Sequence, residues 1–488
     1  MYDVIVVGSG NAALTAALAA RQARARVLVL EKAPQEERGG NSKFTGGIVR
    51  FAYMGLEDIL PIVPGLTEAE VARLDVAPYP AEAFYTDVMH LSQDQADPEL
   101  TRSMVDRSYA TVRWMQGLGV QFELYDKSIN FGGRRSFPAG AVVQFWGGGP
   151  ALMRSLFHAA EGHGVDIVYS AAVTGLLAGA GGRACGVRVQ TPEGAEEIGA
   201  GSVVLGSGGF EASPEMRVRY LGPEWTLAKV RGTRHNTGEL IDRCLELGAQ
   251  PAGHWSGCHA VPVDAHSPDV GDPKLGDLTT RVSYPFGIMV NIEGRRFTDE
   301  GSDFKLYSYA RMGHAILRQP RGIAYQLFDQ QTAELLEPRY HSGSAPVTAN
   351  TLDELAARLG VDRETLVSTV AEFNAAVHEG TFNPAVKDGK GTRDIHPPKS
   401  NWALRLEKPP FLAYAVSCGI TFTYGGILTD QEGRVVDTAA RPIPGLYATG
   451  EITGGIFYHN YPGGCGLTLG AVFGRAAGTV AAREALAS

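Results

Sequence analysis

At 488 residues, with 44% apolar and 20% charged side chains, the chain has the composition of a soluble globular protein and the length of two or three domains of roughly 150 residues. Its 44 Lys and Arg against 53 Asp and Glu leave a net charge of -9, which argues against a nucleic-acid binder held by phosphate contacts. Cys185, Cys244, Cys258, Cys418 and Cys465 show no CxxC, CxxCH or zinc-like spacing, so free thiols are expected, with no metal site.

Residues 2–7 (YDVIVV) read as a short buried strand, 8–13 (GSGNAA) as a turn, 11–24 as an Ala-rich helix and 26–31 as a second strand, together one βαβ unit. The first strand leaves no room for a signal peptide, and no apolar run reaches the length of a bilayer span, so a cytoplasmic location is expected. Residues 65–165 read as helical with loops, above all at 99–118 and 150–162. Residues 165–205 then alternate like strands around a Gly-rich hairpin at 179–182. AGSVVLGSGGF at 200–210 repeats the pattern of an apolar strand running into glycines. Residues 251–414 change character, with more Pro, His and aromatic residues and amphipathic helices near 302–317 and 351–378. The tail from 415 returns to strand and glycine patterns and ends in an Ala-rich helix at 467–486. A nucleotide domain in two parts, 1–250 and 415–488, with a capping domain inserted at 251–414, follows.

In GSGNAA, Gly8 permits the tight turn, Gly10 lets backbone approach a pyrophosphate and Ala13 allows close helix–sheet packing, with Asn11 and Ala12 at the helix start where phosphate charge rests. Glu31 ends the second strand where a carboxylate accepts from ribose hydroxyls, which disfavours the 2′-phosphate of NADP; Lys32 follows it. The loop RGGNSKFTGG at 38–47 exposes backbone N–H groups at Gly39, Gly40, Gly46 and Gly47, and Asn41, Ser42 and Thr45 add side-chain hydrogen bonds, enough to clasp a phosphate or a flavin edge. Val173, Ser207 and Gly208, on later strand patterns, join this set. At the other end, Gly450 and Glu451 close PIPGLYATGE, and Gly466 and Leu467 open the last helix, whose N-terminus suits a flavin pyrimidine carbonyl.

With WSGCHAVPVD at 255–264, EGRRFTDEGSDFKLYSYA at 293–310 and GGIFYHNYPGGCGLTLGAVFGRAAG at 454–478, the chain resembles the fumarate reductase and succinate dehydrogenase flavoprotein family over nearly its whole length. That family includes 3-ketosteroid Δ1-dehydrogenases and urocanate reductases. Within it the likeness is closest to tricarballylate dehydrogenase and to the flavoprotein half of the cobalamin-pathway precorrin-3B synthase. The resemblance implies an α/β fold, α+β overall: a Rossmann-type FAD-binding domain with an inserted substrate-capping domain. It implies FAD held by the residues named above, together with Gly209. Some relatives bind FAD covalently through a His in the 38–47 loop, and none stands there, so non-covalent FAD is implied.

The resemblance also assigns roles in the substrate site. His259 in GCHAV falls on a substrate-binding His. Tyr461 falls on a Tyr that hydrogen-bonds the substrate carbonyl in ketosteroid dehydrogenases and so stabilises enolate-like charge. The fumarate-type proton-donating Arg is missing, since Gly301, Ser302, Asp303, Phe304 and Lys305 follow Glu300. Thr421, Phe422 and Tyr461 stand where the second His and second Arg would be. His459, Tyr309 with Tyr307, and Arg296 with Arg295 are the further catalytic candidates.

The implied activity is an FAD-dependent oxidoreductase that forms a C=C bond next to a carboxylate or ketone. A tricarballylate-like polycarboxylate is the leading substrate, with its cations sought among Arg281, Arg295, Arg296 and Lys305. Three alternatives stand beside it: an enoate reductase of fumarate or urocanate type; a Δ1-dehydrogenase of a ketosteroid or cyclic ketone, walled by Phe51, Tyr53, Phe145 and Trp146; and a non-autonomous flavoprotein of cofactor biosynthesis. The dehydrogenase readings require an external electron acceptor, such as a membrane iron–sulfur protein or a quinone, and the reductase reading requires an external electron donor. The sequence leaves the oligomeric state open.

Overall fold

The computed structural model describes residues 2–131 and 133–487 and places YDVIVV near the middle of an eight-stranded sheet. Tyr2–Val7 lies between Val27–Leu30 and Gly194–Leu205, with Asp166–Val168 beyond the first and Pro442–Ala448 beyond the second, all paired in parallel. Val4, Ile5 and Val6 are fully buried, as a strand covered on both faces requires. Helix Asn11–Gln22 is the crossover between the first two strands. Gly194–Leu205 serves two sheets' worth of pairing: its first half pairs antiparallel with Ala184–Thr191, which pairs in turn with Ala172–Ala178, and its second half joins the parallel core.

The last helix, Cys465–Ala487, packs against Asn11–Gln22 through a face of small residues. A Cβ at Gly474 would stand 2.3 Å from the Thr15 hydroxyl, and one at Gly478 would stand 2.0 Å from the Ala16 carbonyl oxygen, so only glycine lets the two backbones meet. By length and composition alone this helix is apolar enough to cross a bilayer, contrary to the expectation that no run was, and 67% of the apolar window is buried within the fold. Its apolarity is accounted for by that packing.

A second sheet is built on the long antiparallel pair Pro251–Asp264 and Phe411–Ile427. Ile323–Phe328, Ile288–Asn291, Val347–Ala349 and Lys229–Val230 complete it. The boundary drawn at 414 therefore falls inside one strand, and Lys229–Val230, from ahead of 251, pairs into the same sheet. Helices Leu352–Leu359 and Arg363–Ala376 share a core with this sheet. The single helix expected at 351–378 is broken because Gly360 turns left-handed at φ 68° and Asp362 caps a new start by accepting from the Thr365 N–H at 2.8 Å. Between Val27–Leu30 and Asp166–Val168 of the first sheet in sequence, Ile48–Val49, Phe122–Leu124 and Val143–Phe145 form a small sheet, the latter two where mostly helix was expected.

Candidate active site

A cavity of about 400 Å³ runs along the carboxyl ends of the parallel strands, where open α/β sheets bind their ligands. Gly8 and Gly10 follow the first strand, Glu31 and Lys32 the second, Gly206, Ser207 and Gly208 the third, and Gly450 and Glu451 the fourth. Gly8 has φ 98°, and a Cβ there would stand 2.4 Å from the Gly206 carbonyl oxygen, so the turn needs both freedom and narrowness. Asn11, Ala12, Gly40, Asn41, Ser42, Thr45, Val173, Gly466 and Leu467 also line the cavity. Ala13 does not: it is fully buried, and a Cβ on Gly206 would meet its Cβ at 2.8 Å, which is the packing role.

The lining fits an extended anionic dinucleotide. Gly10 caps the helix without a side-chain oxygen, so first-turn N–H groups remain for a ligand, except that of Asn11, which donates to the Ser42 hydroxyl at 2.9 Å. The side-chain amide of Asn11 donates to the Leu467 carbonyl at 2.9 Å and leaves its buried Oδ1 without a partner among the described residues. Gly40 has φ 52° and open space where a Cβ would stand. The Glu31 carboxylate is fixed by the Ala33 N–H at 2.7 Å and by the Ser9 hydroxyl, facing the cavity. Lys32 is already engaged by Glu239 at 2.7 Å and the Thr237 hydroxyl at 2.5 Å.

Glu451 is tied less to the cavity than expected. Its carboxyl accepts from the Thr423 N–H at 2.8 Å and lies beside buried Glu211, whose carboxyl accepts from Asn41 at 2.5 Å and Asn236 at 2.7 Å. Burial pushes both carboxyls up, and Glu211 pushes Glu451 further. Two buried carboxyls held only by amide and hydroxyl groups favour the protonated form. Gly209 does not line the cavity: a Cβ there would stand 2.3 Å from Glu451 Oε1.

A second, inner cavity of about 110 Å³ shares Asn41, Thr45, Thr421, Tyr461, Gly466 and Leu467 with the first. Three elements bring three aromatic side chains together there. His259 comes from strand Pro251–Asp264, Tyr309 from helix Lys305–Leu317 and Tyr461 from the turn ahead of the last helix. The helix presses onto the strand because Gly313 has no side chain, since a Cβ there would stand 2.5 Å from the Ala260 carbonyl carbon. One turn earlier, Tyr309 is thereby laid on His259. The two tyrosine hydroxyls are 3.0 Å apart, and each ring stands 4.9 Å from the imidazole. Burial pushes the Tyr309 hydroxyl up to about 12, although Tyr461 and Arg231 pull it down, and burial and Tyr309 raise Tyr461 well above its usual range. His259 is 2% exposed with neither ring nitrogen bonded among the described residues, and burial and the nearby Arg231 lower it to about 3, so it is neutral.

The cations of this cavity are Lys127, Arg231, Lys305 and Arg339. Asp277 binds Arg231, Arg339 at 2.6 Å and Lys127 at 3.3 Å. Glu337 binds Lys305 and Arg339, the latter at 2.5 Å. Burial pushes the Asp277 carboxyl up, but Arg339, Lys127 and Arg231 together hold it well below the carboxylate range; Glu337 is held at about 2 against burial by Arg339 and Lys305. Four cations thus face two ionised carboxylates, and each lysine ammonium, with three donors, has one carboxylate partner. Gly46 belongs here, since a Cβ on it would stand 2.6 Å from Asp277 Oδ2.

Several expected residues lie elsewhere. His459 bonds Gln95 at 3.1 Å and stands beside His254, outside both cavities. Arg296 is ion-paired with buried Glu300 at 2.6 Å, and Arg281 with Asp264 at 2.9 Å, so neither cation is offered to a ligand. Gly47 packs on Gly148, where a Cβ on it would stand 2.8 Å from the Gly148 Cα, instead of lining a cavity. Arg231, Arg339, Lys127 and Asp277 escaped the sequence reading because they sit on short or irregular segments that no periodicity marks.

A family model described as FAD binding domain matches residues 3–469. The chain is 29% identical over 489 residues to a Shewanella frigidimarina protein named as a fumarate reductase, covering 99% of this chain and 75% of that one. It is 29% identical over 559 residues to the 4-oxocyclohexanecarboxylate 2-dehydrogenase of Sinomonas cyclohexanicum, covering 96% and 90%. Among solved structures, the open conformation of a flavocytochrome c3 fumarate reductase superposes with a TM-score of 0.74 at 27% identity, covering 99% of this chain and 78% of that one.

Proposed function

The chain belongs to the FAD binding domain family and is an FAD-dependent oxidoreductase acting on CH–CH groups, and on that premise we propose that it forms a C=C bond next to the carbonyl of a small organic acid. The observation that carries this is the contact of Tyr309 and Tyr461 at 3.0 Å, over a neutral His259, in a cation-rich cavity that opens into the dinucleotide cavity. FAD, held non-covalently along the outer cavity, supplies the hydride acceptor. One tyrosine hydroxyl donates to the substrate carbonyl and stabilises the charge that develops as the α-proton leaves. The other takes that proton, and the free imidazole nitrogens of His259 orient the substrate.

Lys127 and Lys305, backed by the Arg231–Asp277–Arg339–Glu337 network, seat a carboxylate, because four cations against two carboxylates leave a net positive charge that is costly until an anion arrives. A 4-oxo acid uses both features, its ketone at the tyrosines and its carboxylate at the lysines. Tricarballylate uses them too, with one carboxylate in place of the ketone. A cavity of about 110 Å³ favours such acids over a steroid nucleus. Electrons then leave to an external acceptor, for which we propose a quinone or an iron–sulfur protein.

Reduction of an enoate is the second reading, favoured by the raised Tyr309, which at neutral pH is protonated and so has a proton to give and little capacity to take one. The test is an anaerobic titration of the yellow protein with 4-oxocyclohexanecarboxylate, tricarballylate and cyclohexanone. Bleaching by the acids, and weakly by the neutral ketone, is the expected result. Tyr461→Phe should slow bleaching about 10²-fold while the flavin stays bound. Bleaching by none of the three, with the reduced protein reoxidised by fumarate or another enoate, turns the assignment to reduction. Acid precipitation should release all the flavin into the supernatant.

A further inference from the structure

Arg50 follows the short strand Ile48–Val49 and is fully buried. Its Nε–H donates to the Gly463 carbonyl at 2.9 Å, and its Nη1 donates to the Ala139 carbonyl at 2.8 Å, the Tyr79 hydroxyl at 2.9 Å and the Tyr307 hydroxyl at 3.2 Å. Its nearest carboxylate, Asp87, stands 3.7 Å away and accepts from the Tyr79 hydroxyl at 2.6 Å and the Tyr307 hydroxyl at 2.7 Å. Nη2 has no partner. A buried guanidinium with an idle nitrogen and only a long ion pair is a poor way to stabilise a core, and an apolar side chain of similar size would cost less.

What this arrangement does fix is a relative position. Gly463 lies two residues after Tyr461, and Tyr307 two residues before Tyr309, so one guanidinium grips the turn that carries one tyrosine and the helix that carries the other. The same two segments are tied directly by the Gly463 N–H donating to the Leu306 carbonyl at 2.8 Å. The Arg50 backbone closes the junction: its carbonyl accepts from the Thr468 hydroxyl at 2.5 Å, and a Cβ on Gly464 would stand 3.0 Å from its nitrogen. Planar, forked donors suit such a junction, and a lysine's single ammonium cannot span it.

We propose that Arg50, supported by Tyr79, Asp87 and Tyr307, is the positioning residue that sets the Tyr309–Tyr461 contact. This rests on the reading that the tyrosine pair handles the substrate carbonyl. The test uses the full-length, FAD-loaded chain as Arg50→Lys, which keeps the charge and loses the fork, and as Tyr307→Phe, which keeps Arg50 and removes its grip on the helix. Crystal structures of both should show the tyrosine hydroxyls moved from 3.0 Å to beyond hydrogen-bond reach. Flavin reduction by saturating 4-oxocyclohexanecarboxylate should fall about 10²-fold in Arg50→Lys, while half-saturation moves less than about threefold, since misplacement near 1 Å costs rate more than binding. Persistence of the contact in both variants overturns the proposal, as does an unchanged reduction rate in Arg50→Lys. If Tyr309→Phe and Tyr461→Phe are as active as the wild type, the functional reading itself falls. If those variants are slow and Arg50→Lys is not, only the role of Arg50 falls.

Discussion

His259 has two unbonded ring nitrogens in a buried cavity, which makes its protonation a stability term as well as a mechanistic one. Its folded pKa of about 3 lies below the usual 6.5, so the unfolded chain binds more protons between those limits and stability rises with pH across them. The contribution is complete above pH 6.5 and declines as pH falls. Denaturant titrations at pH 6.5 and 4.5 should show a loss of about 2 kcal/mol from this residue, and His259→Phe should remove that part of the pH dependence. Equal slopes in the two proteins would mean that His259 is not shielded. For Tyr309, burial raises the hydroxyl to about 12, so the ionised form that can accept a proton is scarce at neutral pH. The rate of flavin reduction should therefore rise about tenfold per pH unit between pH 7 and 10 when proton removal is limiting. A flat profile there would take the base role from Tyr309.

At the scale of elements, the contact between Asn11–Gln22 and Cys465–Ala487 holds the two ends of the chain together, and it depends on the absence of side chains at Gly474 and Gly478. Gly478→Ala should cost about 1–3 kcal/mol, because its Cβ would fall 2.0 Å from the Ala16 carbonyl oxygen and backbone has to move. The same shift displaces Leu467 and Asn11, which are joined at 2.9 Å on the cavity wall, so weaker flavin retention should accompany the lower melting temperature. Normal retention at a lowered melting temperature would show that the cavity is insulated from the helix pair. Glycine recurs every fourth residue at 470, 474 and 478, and the helix expected at 11–24 is the one it meets, a pairing that only the fold reveals.

For the whole molecule, the outer cavity is lined by segments from both ends and from the middle of the chain, among them Gly8, Gly40, Ser207, Thr421 and Gly450. A ligand there binds only the folded arrangement and stabilises it by mass action, about 2.7 kcal/mol at a hundredfold excess over its Kd. Stripping FAD should lower the melting temperature by several degrees, and readdition should restore it. An identical melting curve for stripped and loaded protein would place the flavin outside this cavity.

The nucleotide half was legible because its determinants are local: an apolar strand, a glycine turn and a small-residue helix follow one another in GSGNAA and its flanks, and each restricts the backbone by itself. Tyr461 and His259 were reached through motif likeness, which marks residue types at fixed places within a short segment. The sequence could not reveal which cations remain open to a ligand. Arg281, Arg296 and Lys305 look alike along the chain, yet Asp264 and Glu300 neutralise the first two, while Lys305 joins Lys127, Arg231 and Arg339 around Asp277 and Glu337. Local chemistry along the chain thus determined that the protein holds a dinucleotide and where its turns lie. Only the tertiary structure decided the charge of the inner cavity and the meeting of Tyr309 with Tyr461, because ion pairing and side-chain contact depend on distances between segments that the chain brings together only when folded.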